Sequence, residues 1–115
     1  MPAFKTNAAE FTDDEVKELV EYVLKLRGAP ADPAAASRGK DNFSWCVDCH
    51  GKDARGVSAV GGPSLLSAQL QYGATREALF QSIAQGRAGV CPAWQGVLDQ
   101  TSILNLAAFL AARQR

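Results

Sequence analysis

The chain lacks several features that mark common classes of protein. It has no excess of charge, since 12 Lys and Arg balance 12 Asp and Glu over 115 residues. Nucleic-acid and anionic-lipid binders normally carry a basic surplus, so neither function is expected. The best apolar stretch, Leu106–Ala112, is far shorter than the ~20 residues of a membrane span. The N-terminus has no basic region followed by an apolar segment, so no signal peptide is expected.

Sulfur and imidazole side chains are also scarce, with three cysteines, one methionine and one histidine.

The length corresponds to one small domain and is too short for a two-lobed enzyme with a cleft between lobes. Charge is unevenly divided along it. Residues 1–27 carry four basic and six acidic side chains, whereas residues 28–115 carry eight and six. This asymmetry indicates a chain of two parts.

Helical periodicity runs through the sequence. From Thr12, apolar residues recur at spacings of three and four, Thr12 and Glu15 form a capping-box pattern, and Gly28 ends the segment. No alternating strand pattern is found, so an all-α fold with long loops is predicted. Further helices are expected over about 33–43, over about 75–85 and from Asp99 or Thr101 onward, with loops over 51–63 and 86–96.

A weak internal repeat relates the two ends of the chain. Met1-Pro2-Ala3-Phe4 precedes the first helix, and Cys91-Pro92-Ala93-Trp94 precedes the last. The shared lead-in favours duplication over chance, and it aligns Met1 with Cys91. Five apolar positions also correspond: Phe11, Val16, Leu19, Tyr22 and Val23 match Leu98, Ile103, Leu106, Phe109 and Leu110.

The strongest chemical signal is the run Cys46-Val47-Asp48-Cys49-His50. C-x-x-C-H is the signature of c-type haem attachment, in which two thiols one helical turn apart bind the vinyl groups and the imidazole binds iron. A thioredoxin-like dithiol is an alternative, but it requires a preceding strand. A zinc site formed with Cys91 is another, although adjacent Cys49 and His50 cannot easily reach one tetrahedral ion.

With haem accepted, the chain resembles the class I cytochrome c family over about residues 33–115. It is most similar to the C-terminal haem domain of the di-haem cytochrome c subunit of cbb3-type oxidases. The resemblance implies a small all-α cytochrome c fold with residues 29–32 as a linker. Residues 1–28 would then be an N-terminal helical extension, the tail of a preceding haem domain. The residues that carry this family resemblance are Cys46–Gly51, Gly62–Leu65, Tyr72-Gly73 and Gly86–Trp94.

The resemblance also implies a role for each site residue. His50 would be the proximal ligand, and the Pro63 carbonyl would accept a hydrogen bond from its other ring nitrogen. Arg87 would pair with a haem propionate, while Tyr72 and Trp94 would line the haem edge. Plainer roles stay open at three of these positions. Pro63 would merely shape a turn, Arg87 would be a solvated charge, and Trp94 would be ordinary core.

One position departs from the family, because the resemblance predicts methionine where this chain has Cys91. Cys91 is therefore the predicted sixth ligand, and its thiolate would stabilise ferric iron and lower the reduction potential. An exogenous ligand, an open site with Cys91 as a small buried residue, and a thiol pairing between chains are the alternatives. Met1 is not expected to ligate this haem, because a helix and a linker intervene. Its role would be toward an absent first haem.

The expected function is single-electron transfer by one covalent haem c in the periplasm. The partners would be donor or acceptor cytochromes and the oxidase core subunits, and the full-length protein would be tethered to the inner membrane. No acid, base or nucleophile constellation is visible, so catalysis by this chain alone is not expected. A sensor or sulfur-compound redox domain is the alternative, and a haem-free dithiol oxidoreductase is a more remote one.

Overall fold

A computed structural model describes residues 1–5, 10–88 and 93–113 of the chain. Across these ranges the backbone forms helices and loops and no strand, with one isolated bridge between Val57 and Gly62. The all-α prediction is confirmed. The helices are α1 (Asp13–Leu26), α2 (Pro33–Asn42), α3 (Val47–His50), α4 (Arg76–Gln85) and α5 (Gln100–Arg113), with short 3₁₀ turns at Phe43–Trp45 and Ser58–Val60.

The two ends of α1 are fixed by local hydrogen bonds that the sequence predicts. The Thr12 hydroxyl accepts from the Glu15 backbone N–H at 3.2 Å, and the Thr12 N–H donates to the Glu15 carboxylate at 2.8 Å. This reciprocal capping box satisfies two of the unpaired N–H groups at the helix start. Gly28, with a φ of 71°, follows the helix in a left-handed conformation that suits glycine.

Helix α2 leads directly into the cysteine motif. Asp32 caps its start by accepting from the Ala34 N–H at 3.0 Å, and Pro33 takes the first helical position. Near its end α2 crosses α1 at Gly39, where an added Cβ would lie 2.0 Å from the Glu18 carbonyl oxygen. The two backbones can approach this closely only because the position has no side chain. The 3₁₀ turn Phe43–Trp45 then connects α2 to the motif.

The hydrophobic core forms where α1 lies against α2 and α4. Polar contacts reinforce this packing at the edge of α1. The Glu21 carboxylate accepts from the Arg76 side chain and from the Asp32 N–H, and the Arg27 guanidinium donates to the Leu65 carbonyl. The buried apolar residues are Phe4, Phe11, Val16, Leu19, Val20, Val23, Leu24, Ala36, Phe43, Ala54, Leu79, Ile83 and Ala84.

Helix α5 lies apart from this core. Of the residues that the structure describes, none in α5 is buried or packed against the core. The radius of gyration is 16.7 Å, against about 13 Å for a compact domain of similar length. The division into an extension over 1–28, a linker and a haem domain over 33–115 stays a prediction, although α1 here supplies much of the core.

Candidate functional site

The cysteine motif lies on a short stretch of helical backbone. The Cys46 N–H donates to the Phe43 carbonyl at 2.8 Å, and the His50 N–H donates to the Cys46 carbonyl at 2.9 Å. Residues three apart on a helix are neighbours on one face, so the two thiols lie one turn apart on the same side. Gly51, with a φ of 80°, ends the helix directly after the histidine.

The two motif cysteines are free and differ in exposure, with Cys46 half-buried and Cys49 exposed. Burial raises the pKa of the Cys46 thiol to about 11, and the neighbouring Cys49 adds to the rise. A redox-active dithiol instead needs a lowered thiol pKa, because the thiolate is the nucleophile. The raised pKa and the helical segment before the motif both disfavour the thioredoxin-like alternative.

The histidine of the motif is held by the loop that follows it. Its Nδ1 lies 2.8 Å from the Pro63 carbonyl oxygen. Because a carbonyl can only accept, Nδ1 must carry the proton, and the lone pair of the neutral ring then lies on Nε2. His50 is therefore oriented with one nitrogen occupied and the other available to a metal, which is the usual arrangement of metal-binding imidazoles.

Close backbone packing brings Pro63 to the histidine. The Val57 N–H is shared between the Cys49 carbonyl at 3.1 Å and the Gly62 carbonyl at 3.0 Å, and the Gly56 N–H donates to the His50 carbonyl at 2.7 Å. A Cβ at Gly62 would lie 1.6 Å from the Cys49 carbonyl oxygen. The loop can lie directly on the motif helix because Gly62 has no side chain.

A second group of predicted residues meets at the end of α4. The Arg87 guanidinium stacks on the Tyr72 ring with 4.7 Å between Cζ and the ring centroid, and its Nε donates to the Ser82 hydroxyl at 3.1 Å. Ser82, which the sequence analysis missed, thus helps to fix the arginine. The sequence pattern that could have indicated this contact is a serine in the last part of a predicted helix, five residues before the arginine.

The start of the chain also reaches this corner. The Met1 carbonyl accepts from the Arg87 N–H at 3.1 Å, and the Met1 amino group donates to the Arg87 carbonyl at 2.8 Å. A Cβ at Gly86 would lie 2.5 Å from the same Met1 oxygen. Helix α1 folds back across α2 and brings the Met1 backbone beside Arg87. That Met1 does not ligate this haem stays a prediction.

Of the two remaining predicted site residues, the structure describes one. Trp94 has 51% of its side chain exposed and lies before α5. Cys91, the predicted sixth ligand, lies outside the described residues. Within residues 1–5, 10–88 and 93–113, no three His, Cys, Asp or Glu side chains form a group that could hold a metal ion.

These features fit a c-type haem. Two free thiols one helical turn apart would form the thioether links, and the adjacent imidazole would hold the iron through Nε2 while the Pro63 carbonyl holds its other nitrogen. An all-α chain with this site has the features of a c-type cytochrome. Residues 34–110 match the family model described as cytochrome c oxidase, cbb3-type, subunit III. The chain belongs to this family, and the prediction of a covalent c-type haem is confirmed.

Individual relatives agree with the family model. The chain is 39% identical over 102 residues to the cbb3-type cytochrome c oxidase subunit CcoP of Azospirillum brasilense, covering 84% of this chain and 35% of the relative. It is 38% identical over 97 residues to CcoP of Rhodobacter capsulatus, covering 79% and 33%. The match to FixP of Bradyrhizobium diazoefficiens is 38% over 99 residues, covering 84% and 34%. The chain thus spans about a third of the length of these curated relatives.

The helices of the part of the chain that the structure describes are short or carry charged side chains. No helix there is both long and apolar enough to cross a bilayer.

Proposed function

We propose that this chain carries one covalent haem c and transfers single electrons as a domain of a cbb3-type oxidase subunit. The observation that carries the proposal is the 2.8 Å contact from His50 Nδ1 to the Pro63 carbonyl beside two free thiols. When bound, the haem supplies a one-electron ferric/ferrous couple. The residues of this chain then determine how the group is held and how its charge is balanced.

Each candidate residue has a distinct task in this proposal. Cys46 and Cys49 anchor the haem, and His50 binds the iron through Nε2. The Pro63 carbonyl increases the basicity of His50 and keeps its ring from rotating. Arg87, held by Ser82, supplies a positive charge for a haem propionate. Tyr72 and Trp94 line the haem edge.

We infer that Cys91 is the sixth ligand, since it stands at the methionine position of the repeat. A thiolate donates strongly to ferric iron, so the reduction potential would be lower than with methionine. Replacing Cys91 with methionine should therefore raise the midpoint potential and convert a thiolate-type low-spin ferric EPR signal to a His/Met type. A high-spin wild-type protein whose potential is unmoved by Cys91→Met would contradict thiolate ligation.

An open or displaceable Cys91 position would instead suit a haem domain that senses a small ligand or acts in sulfur-compound redox chemistry. The observation that favours this second candidate is the same substitution of cysteine at the methionine position. Carbon monoxide binding to the reduced protein separates the two functions. Binding that shifts the Soret band at low ligand concentration favours the sensor, and an unchanged spectrum favours the electron carrier.

The family suggests the setting of this domain. The relatives are named as cbb3-type oxidase subunits, so we propose the oxidase core subunits and donor or acceptor cytochromes as partners. Because c-type haem is attached after export, the domain would lie in the periplasm, tethered to the inner membrane in a longer protein. Residues 1–28 would close a preceding haem domain there. Catalysis would belong to the assembled oxidase.

The test of haem attachment uses variants of the motif. The double variant Cys46→Ala/Cys49→Ala should lose all haem that survives acid-acetone extraction, because no thioether can form. Asp48→Ala, at an exposed position between the cysteines, is the matched control and should retain the haem. A reversible one-electron redox titration of the wild-type protein is also expected. Covalent haem in the double variant, or no reversible couple in the wild type, would refute the proposal.

A further inference from the structure

The side chain of Arg87 is held at two points outside the cysteine motif. Its Nε donates to the Ser82 hydroxyl at 3.1 Å, and its Cζ lies 4.7 Å from the centroid of the Tyr72 ring. The hydrogen bond fixes the position of Nε, and stacking on the ring fixes the plane of the guanidinium. These two contacts together leave the guanidinium little freedom to turn.

The Ser82 hydroxyl has a fixed role in this arrangement. Arg87 can only donate and the Ala78 carbonyl can only accept, so the hydroxyl accepts from Arg87 and donates its one proton to Ala78 at 2.9 Å. A hydroxyl bonded to the carbonyl four residues back does not strengthen a helix, and alanine is the better helix former. Helix stability therefore gives no reason for a serine at this position of α4.

The Tyr72 ring belongs to a turn that lies against the same part of α4. The turn is closed by the Gly73 N–H, which donates to the Leu70 carbonyl at 3.0 Å. An added Cβ at Gly73 would lie 3.3 Å from the Ala78 Cβ, so the missing side chain lets the turn approach α4 closely. Ala78 thus contacts both the turn that carries the ring and the hydroxyl that holds Arg87.

The outer nitrogens of Arg87 are suited to an anionic ligand. Over residues 1–5, 10–88 and 93–113, no acceptor lies within hydrogen-bond distance of either Nη group, and no carboxylate forms an ion pair with Arg87. The side chain is half-buried, so its charge is screened less than that of a fully exposed arginine. A planar guanidinium matches the two oxygens of a carboxylate. The Nη edge of Arg87 therefore fits a haem propionate.

We propose that Ser82 and Tyr72 are positioning residues that raise the reduction potential of the haem through Arg87. This role rests on the proposed function, in which Arg87 pairs with a haem propionate. A positive charge near the haem favours the ferrous state, because reduction adds a negative charge. The interaction weakens as the distance between the charges grows. A guanidinium held in one place beside the propionate thus raises the potential more than one that turns away from it.

Redox titration of the haem-loaded full chain tests this role. Ser82→Ala and Tyr72→Leu should each lower the midpoint potential by part of the shift that Arg87→Leu causes, and the two together should reach at least half of that shift. Ser82→Thr and Tyr72→Phe keep the hydroxyl and the ring, so these conservative variants should recover most of the lost potential. Gln81→Ala, at the exposed neighbouring position of α4, is the matched control and should keep the potential of the wild type.

The same changes in an Arg87→Leu background separate positioning from a direct effect on the haem. If Ser82 and Tyr72 act only through the guanidinium, Ser82→Ala and Tyr72→Leu should not lower the potential further once Arg87 is gone. A merely structural role would instead give the same additional shift with or without the arginine.

NMR of the isotope-labelled ferrous protein gives a readout that is independent of the potential. The Arg87 Nε–H should exchange with water about three- to tenfold faster in Ser82→Ala than in the wild type, as expected for the loss of one hydrogen bond. Gln81→Ala should leave this rate as it is. An equal rate in Ser82→Ala and the wild type would show that Ser82 does not hold Arg87 and would overturn its positioning role.

The outcomes also distinguish this role from the function on which it rests. An unmoved potential in Arg87→Leu would show that this charge does not act on the haem, while covalent haem and a reversible couple would still support electron transfer. A lowered potential in Arg87→Leu, with no shift in Ser82→Ala or Tyr72→Leu, would overturn the positioning alone. If Tyr72→Leu fails to take up haem, Ser82→Ala decides the question, because alanine is not expected to weaken α4.

Discussion

Replacing Gly62 with alanine should separate the glycine loop from the haem-binding motif. The new Cβ would lie 1.6 Å from the Cys49 carbonyl oxygen, whereas ordinary contacts begin near 3.4 Å. The loop must therefore withdraw by about 1.8 Å. Overpacking of this kind costs about 1–3 kcal/mol of unfolding free energy. The backbone of Gly62 does not need a positive φ, so the effect of alanine is steric.

The withdrawal should also break the hydrogen bond that orients the histidine. Pro63 follows Gly62, and its carbonyl lies 2.8 Å from His50 Nδ1, so an added separation of this size leaves no hydrogen bond. Losing the bond makes the imidazole less basic and stabilises ferric iron less. A neutral hydrogen bond contributes about 0.5–1.5 kcal/mol. If the whole of this free energy favoured the ferric over the ferrous state, losing the bond would raise the midpoint potential by up to about 60 mV. For a one-electron couple, a tenfold change in the equilibrium constant corresponds to about 59 mV.

The assay combines denaturant unfolding with a redox titration of the haem-loaded protein. Gly61→Ala is the matched control, because its Cβ would meet nothing within 4 Å while its φ of 72° strains any other residue. It should lose about 1 kcal/mol of stability and keep its potential. Gly62→Ala should change both. If both variants lose stability and neither moves the potential, the Pro63 contact does not tune the haem and the reasoning fails.

Three further substitutions test the packing and the charges around the site. Arg76 holds the pKa of the Glu21 carboxyl below its usual 4.5. The stabilisation that this pair gives the folded chain should therefore be complete above pH 4.5 and fall as the pH drops below it. Glu21→Gln should flatten this part of the curve of stability against pH. Gly39→Ala, with its Cβ 2.0 Å from a backbone oxygen of α1, should destabilise the chain by about 1–3 kcal/mol or more, while Gly96→Ala, in open space, should not. If Arg87 pairs with a haem propionate as proposed, Arg87→Leu removes that positive charge and should lower the haem potential; an unchanged potential would contradict the role.

Local features of the fold could be predicted from the sequence because their causes are local. The capping box at Thr12, the proline at the first position of α2 and the glycine after α1 fixed helix boundaries that the structure reproduces within a residue or two. The contact between His50 and Pro63 spans 13 residues, and it could be expected only through the family resemblance. The roles assigned to Tyr72, Arg87, Cys91 and Trp94 stay predictions.

The position of α1 could not be predicted, because helical periodicity shows that a face will be buried and does not show against what. α1 and α5 have the same apolar pattern, so the pattern alone cannot decide which of them covers α2. The contacts that distinguish them join residues far apart in sequence, such as Glu21 and Arg76, which are 55 positions apart. No local signal marks Glu21 as different from any solvated glutamate.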